Sequence, residues 1–377
     1  MPDIMEVGNQ MRKHIEHIQI KDFQNDLITW YQTIKRDLPW RENLDPYRIL
    51  VSEIMLQQTQ VATVIPYYHR FMELFPQATD LAHAEEATLL KAWQGLGYYS
   101  RARNLQASAK MIDELGTFPR LYEDILKLKG VGPYTAGAIA SIAFRMPVPA
   151  VDGNVFRVMS RVSAIFDDIA KPATRKLFES VVTELISQEN PGDFNQGLME
   201  LGATICTPKS PKCLECPVRG YCRAYAEGID DQLPVKSKSV KQKKMKFVVG
   251  VVENEQGEWL ISRRPKTGLL ANFYEFKQFE YEVGYPEEVL RGALTAVGYG
   301  VRSVEFLGFS KHVFTHRIWE MEAYKVIVTT RLAICQENEI WINPKDLDKY
   351  SLTVAHVRIL EGHFTSINND EPRRQQT

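Results

Sequence analysis

The chain has 377 residues, 44% of them hydrophobic and 25% charged, which is enough for two folded domains, each with a core of its own. Its formal net charge is −1, so the field of the whole molecule cannot recruit a polyanion, and any nucleic-acid contact must rest on a local basic surface. The most apolar stretch, 136–144, ends at Arg145 and is too short to cross a bilayer. Five cysteines without a secretory pattern in residues 1–13 point to a reducing compartment without disulfides, the cytoplasm if the source is bacterial.

From residue 23 to 226 apolar side chains recur at helical spacing, broken at Pro39, Pro46, Pro76, Gly116 and Pro149, so this region is predicted to be almost all helix. Within it, residues 49–59 set Glu53 among apolar neighbours on a helix. Desolvation there would raise its pKa and favour a protonated acid; on the plainer alternative, Glu53 faces solvent. Residues 128–136 (Leu-Lys-Gly-Val-Gly-Pro-Tyr-Thr-Ala) follow a helical stretch at 121–127. Gly130 and Gly132 permit a tight turn, and Pro133 then pre-sets the first turn of the next helix. This is a helix-hairpin-helix pattern, whose turn amides and helix N-terminus can face a phosphate without reading a base. Asp152 follows the extended run 147–151 and precedes a helix starting near Asn154. A positive helix end favours its ionised form, although Asp152 could also be only an N-cap. Two carboxyls whose surroundings push their pKa values apart suit glycosyl chemistry, one as an acid and the other as an ionic stabiliser.

Four of the cysteines, Cys206, Cys213, Cys216 and Cys222, fall within one loop interleaved with Pro208, Pro211 and Pro217. Such a set suits a structural zinc or an iron–sulfur cubane, and spacing alone favours zinc because zinc sites are commoner. Between Cys206 and Lys246 there are ten Lys or Arg against four acids, which supplies the local basic surface. Residues 233–246, rich in Lys and Ser, are predicted to be an exposed linker. Short β-rich runs at 247–252, 259–262 and 324–329 then announce a mixed α/β domain. Cys335 reads as an unreactive core thiol, and the tail 366–377 has no core-forming pattern.

Together these strings resemble the MutY family of adenine DNA glycosylases over nearly the whole chain. The resemblance rests on residues 38–41 (Leu-Pro-Trp-Arg), 52–61 around Glu53, 95–102 (Gly-Leu-Gly-Tyr-Tyr-Ser-Arg-Ala), 151–155 (Val-Asp-Gly-Asn-Val) and the cysteine spacing. It implies a multidomain protein. Residues 1–232 would be an all-α catalytic region, a six-helix barrel domain plus an iron–sulfur domain with the active site between them. A basic linker at 233–246 and a MutT/Nudix-like 8-oxoguanine recognition domain at 247–365 would follow. The cysteines would hold a 4Fe–4S cluster, and the partner would be double-stranded DNA with adenine opposite 8-oxoguanine or guanine, bound by a monomer. Glu53 would be the general acid and Asp152 the stabiliser of the sugar cation, with Tyr134 and Asn154 orienting the pair. Arg41 and Gln196 would contact the flipped base, while Leu56, Gln57 and Tyr98 would fill or prop the gap in the stack. Gly130 and Gly132 would meet the backbone, and the loop of Phe314, Thr315 and His316 would read the opposite base. Residues 291–298 lack the glutamates with which a working Nudix helix holds magnesium, so no nucleotide hydrolysis is expected. The sister family of endonuclease III, a glycosylase with lyase activity, has a lysine where this chain has Tyr134, and a phenol cannot form the imine. A third reading is a DNA-binding iron–sulfur protein without activity.

Overall fold

Residues 13–237, 242–314, 316–329 and 337–362 are described by the computed structural model; Thr315, Cys335 and the tail 366–377 lie outside them. The chain divides into two compact units, Met1–Lys238 and Ser239–Thr377.

The first unit is helical. Its described helices are α1 (Ile20–Ile34), α2 (Pro46–Leu56), α3 (Val61–Leu74), α4 (Ala78–Ala82), α5 (Glu86–Ala92), α6 (Ser100–Leu115), α7 (Tyr122–Ile125), α8 (Pro133–Phe144), α9 (Gly153–Val162), α10 (Pro172–Leu185), α11 (Pro191–Thr204) and α12 (Arg223–Glu227). Four of them, α2, α8, α10 and α11, begin on a proline whose missing N–H costs nothing in the first turn. Asp45 caps α2 by accepting from the Tyr47 N–H at 2.9 Å. Seven of the last nine residues of that helix, from Ile49 to Met55, are buried in an unbroken run, so it lies wholly inside the unit against α3, α6 and α8.

A second packing centre joins α1, α9, α10 and α11 through Phe23, Leu27, Met159, Phe178, Phe194 and Leu198. Small residues let these elements close up. A Cβ on Gly137 of α8 would stand 2.1 Å from the Pro149 carbonyl oxygen, so only glycine lets α8 touch the extended segment that leads to Asp152. Asn195, fully buried on α11, fixes the same segment by accepting from the Ala150 N–H and donating to the Val148 carbonyl.

The second unit is a mixed sheet of β1 (Lys243–Glu253), β2 (Trp259–Arg263), β3 (Tyr274–Glu275), β4 (Lys277–Glu280), β5 (Gly300–Val313), β6 (Arg317–Thr329) and β7 (Glu339–Ile342), with α13 (Pro286–Ala296) and α14 (Val354–Leu360). The strand order is β3-β2-β1-β6-β5, with β4 on β1 and β7 on β2. β1 runs parallel to β6, whereas β5 and β6 form an antiparallel hairpin. Phe247, Val249 and Val251 face one core with Ala355 and Ile359 of α14, and Val248 and Val252 face another with Leu290 and Leu294 of α13. A helix on each face explains why β1 reads as continuous apolar sequence without alternation.

Two expectations change. The predicted linker is shorter, because β1 already begins at Lys243, pairing with Arg317 of β6, and Leu233 is buried with Val235 bonded to the Ile169 N–H. Lysines at a strand end look like linker in composition, since their partners lie far along the chain. The helix expected at 121–127 is the single turn α7, extended to Leu128 by i→i+3 bonds.

Candidate active site and cysteine cluster

Elements distant in sequence converge on a cleft of about 880 Å³ in the first unit, within the range of small-molecule sites. Glu53 projects into it from α2, Tyr134 from the first turn of α8, Asp152 and Asn154 from the start of α9, and Gln196 and Glu200 from α11. Arg41, Leu56 and Gln57 complete the predicted set on its wall. Tyr98 does not line the cleft. It stands exposed on the adjoining 95–99 loop, with a left-handed φ of 49°, and Arg101 ties that loop to the end of α2 through the carbonyls of Leu96, Gly97, Ile54 and Met55.

Glu53 is buried at 7% exposure, and one carboxyl oxygen has no hydrogen-bond partner. Burial pushes its pKa up to about 7, aided by the charge of Asp152 and opposed by a hydrogen bond from Tyr134 and the charge of Arg41. The carboxyl is therefore poised to carry a proton near neutrality. The Tyr134 phenol, held well above its ordinary pKa by burial and the two carboxyls, stays a neutral donor; it also reaches the Met199 sulfur at 3.3 Å.

Asp152 is the N-cap of α9. One oxygen accepts from the Val155 N–H at 2.8 Å and the other from the Asn154 amide at 2.8 Å. The helix end alone would lower its pKa, but burial outweighs these bonds and the net direction is upward. What separates the two acids is their partners: donors hold both Asp152 oxygens, whereas Glu53 has an oxygen with none. Arg157 locks the arrangement by donating to Asn154 Oδ1 at 2.8 Å, to the Gly202 carbonyl at 2.7 Å and to the Cys206 carbonyl at 2.7 Å.

At the hairpin, Gly130 adopts φ +75°, and a Cβ there would come within 2.7 Å of Asn104 Cβ. Ser108 anchors the turn from below by donating to the Lys129 carbonyl at 2.8 Å. Gly132 is the N-cap of α8, and nothing stands within 4 Å of where a Cβ would lie, so the approach to the helix start is open on that side.

Cys206, Cys213, Cys216 and Cys222 line one pocket with Val158, Val162 and Val218. The donor set fits an iron–sulfur cluster. Arg161, 3% exposed, points its guanidinium at Cys206 Sγ (3.3 Å) and otherwise meets only carbonyls, with no carboxylate pairing it among the described residues. A buried cation left uncompensated by protein is matched by the net negative charge of a thiolate-ligated cluster. Burial raises the free thiol pKa of Cys216 to about 12 and of Cys222 to about 11, so iron binding must displace their protons.

In the second unit, Phe314 follows β5 and is not a projecting loop residue. Its ring packs on His312 and Trp319, with centroids 4.6 Å and 4.8 Å away, and its N–H bonds to the Arg317 carbonyl across a tight hairpin. His316 is exposed. Thr315 lies outside the described residues.

Sequence reading missed Glu200, Arg36, Arg157, Arg161 and Gly202. One signal was available: Gln196, Met199, Glu200 and Ala203 all line the cleft, an i, i+3, i+4, i+7 stripe that places a carboxylate beside the predicted Gln196.

Three family models match the chain: HhH-GPD superfamily base excision DNA repair protein over residues 51–184, iron-sulfur binding domain of endonuclease III over 206–222 and NUDIX domain over 248–362. The adenine DNA glycosylase of Mus musculus is 50% identical over 54% of this chain and 42% of its own length. That of Schizosaccharomyces pombe is 31% identical over 94% of each, and that of Buchnera aphidicola subsp. Acyrthosiphon pisum 32% over 92% of this chain and 98% of its own. The chain spans about half the length of the first mammalian and plant relatives it matches.

Proposed function

The chain belongs to the adenine DNA glycosylase family, and from that premise we propose that it excises adenine opposite 8-oxoguanine or guanine in duplex DNA. The base swings out of the stack into the cleft. Glu53 donates its proton to a purine ring nitrogen, the C1′–N9 bond breaks with its electron pair passing to the purine, and Asp152 faces the cation that develops on the sugar. Water then adds at C1′ and gives up its proton to the Glu53 carboxylate, leaving free adenine and an abasic site. The observation that carries this reading is a buried Glu53 carboxyl with one oxygen that has no partner, set in the same cleft as an Asp152 whose two oxygens are held by donors. Tyr134 offers no amine for lyase chemistry. Incubation with each mispair is expected to release adenine and to leave strands that break only after alkali. Breakage without alkali would favour a lyase; no base loss would sink the proposal.

The cysteine loop binds an iron–sulfur cluster, which when bound shapes the surrounding basic loop. Purified protein is expected to be brown, with about four irons per chain; a colourless, active preparation with zinc instead would contradict it.

Gly202 faces Asn154 so closely that a Cβ would lie 2.6 Å from Asn154 Cβ. Gly202→Ala must therefore displace Asn154 and with it Asp152. Excision is expected to fall on the order of 10²-fold from this misplacement alone. Single-turnover rates within a few-fold of the parent would show that α9 yields without consequence.

The Nudix-like unit reads the base opposite adenine through the 314–316 segment. The support is the model match together with the exposure of His316 beside the tight turn. Thr315→Val should lose ~1–3 kcal/mol of preference for 8-oxoguanine over guanine, the scale of one base-edge contact. The ratio of single-turnover rates on the two duplexes measures it, and an unchanged ratio removes Thr315 from recognition.

A further inference from the structure

Glu200 is 1% exposed, yet it carries two arginines. Arg36 binds both of its oxygens, Oε1 from Nε at 2.5 Å and Oε2 from a second nitrogen at 3.1 Å, and Arg41 donates to the same Oε2 at 2.8 Å. Burial works against the charge of Glu200, but these bonds outweigh it and hold the carboxyl below its ordinary pKa. The pair of arginines is unequal. Arg36 is 39% exposed in its side chain and can turn to water, whereas Arg41 is 16% exposed, lies over the Tyr31 ring and spends another donor on the Arg36 carbonyl.

Arg41 is the cation whose charge reaches Glu53. The other groups acting on Glu53 are Tyr134 of α8 and Asp152 before α9, and Lys35, Asp193, Arg175 and Lys236 are the remaining charged residues around the cleft. A guanidinium released from Glu200 would find Glu53 with a carboxyl oxygen that has no partner. Pairing there would ionise the acid and remove its proton.

We propose that Glu200 is a positioning residue that anchors Arg41 on the cleft wall and so prevents it from pairing with Glu53, which keeps the acid protonated. The inference rests on the glycosylase reading for its kinetic consequence but not for its titration. Since protonated Glu53 is the active form, excision declines as pH rises through its pKa. In Glu200→Gln the released Arg41 stabilises the ionised acid, so the decline moves to lower pH. In Arg41→Met the opposing cation is gone, so the decline moves to higher pH whatever happens to the plateau rate. Shifts of ~0.5–1 pH unit in these opposite directions are the scale of one nearby charge in a partly screened site. The double variant should lose the downward shift.

The test is the single-turnover pH profile of the full chain, loaded with its cluster, from acid to alkaline buffers on one duplex. Opposite shifts support the proposal, while unmoved or parallel declines overturn it. Loss of a buried anion between two cations could unfold the chain; in that event Glu200→Asp, which keeps the charge but draws it back from Arg41, decides, a downward shift supporting and a fixed decline overturning. A second readout needs no activity. The pH at which the stability gap between the parent and Glu53→Gln stops growing marks the Glu53 titration, and it should rise when both are made in the Arg41→Met background and fall when both are made in the Glu200→Asp background. If the parent excises nothing, the proposed function fails, while this stability readout still tests the role of Glu200 and Arg41.

Discussion

Glu53→Gln is expected to lower adenine excision by ~10²–10⁴-fold, the usual worth of general acid catalysis, while duplex binding stays close to that of the parent. The amide preserves the shape of the side chain on α2 but has no acidic proton to give. The same substitution should leave the fold at least as stable as before. Burial raises the Glu53 pKa from an ordinary 4.5 to about 7, so between those values the folded chain binds more protons than the unfolded one and its stability declines as pH rises. The contribution is fully present below about 4.5 and lost above about 7, a span worth up to ~3 kcal/mol. The glutamine variant has no such loss, so its advantage should grow across that window and then level off. Stability and activity therefore move in opposite directions, a cost commonly met at working sites. Thermal melts at several pH values and single-turnover assays check the two halves; excision within a few-fold of the parent would remove Glu53 from the acid role.

Much of this arrangement could be read from the chain before any coordinates. The run around Glu53 is nearly all apolar, which raised a buried acid beside the solvent-facing alternative, and Pro133 and Asp152 announce the helix starts that place them. The cysteine spacing marked a metal-binding loop, and its resemblance to the family's loop chose iron–sulfur over zinc. What stayed hidden depends on contacts between distant segments. Glu200 resembles any helical glutamate until α11 lies against α1, where it meets Arg36 and Arg41. Gly202 looks like a weak helix residue until the backbone of Asn154 stands against it. The net pKa of Asp152 was misjudged because sequence shows the helix end that lowers it and not the depth of burial that raises it. The strand content of the second unit was underestimated for a related reason: β5 alternates poorly, broken by irregularities between Val301 and Ser303 and between Phe306 and Gly308, and its pairing with β6 is what defines it.

Asp152→Asn is expected to reduce excision by on the order of 10²–10³-fold or more, the loss typical when a preorganised group facing developing charge is removed from a water-poor site. The geometry separates this electrostatic effect from a structural one. An asparagine can still cap α9, since its oxygen can accept the Val155 N–H now bound at 2.8 Å. Its amide nitrogen, however, would face the Asn154 amide donor that currently binds the second oxygen. Asn154 cannot simply turn over to present an acceptor, because its own oxygen is held by Arg157. The substitution therefore carries a local hydrogen-bond cost of ~1–3 kcal/mol in addition to the lost charge, and a modest fall in melting temperature should accompany it. To tell the two apart, Asn154→Ala removes the donor and leaves the charge in place. If Asp152 acts through its charge, Asn154→Ala retains far more activity than Asp152→Asn at equal DNA occupancy. Equal losses in the two variants, with cluster absorbance unchanged, would make Asp152 a helix cap and place the stabilising charge on another residue of the cleft.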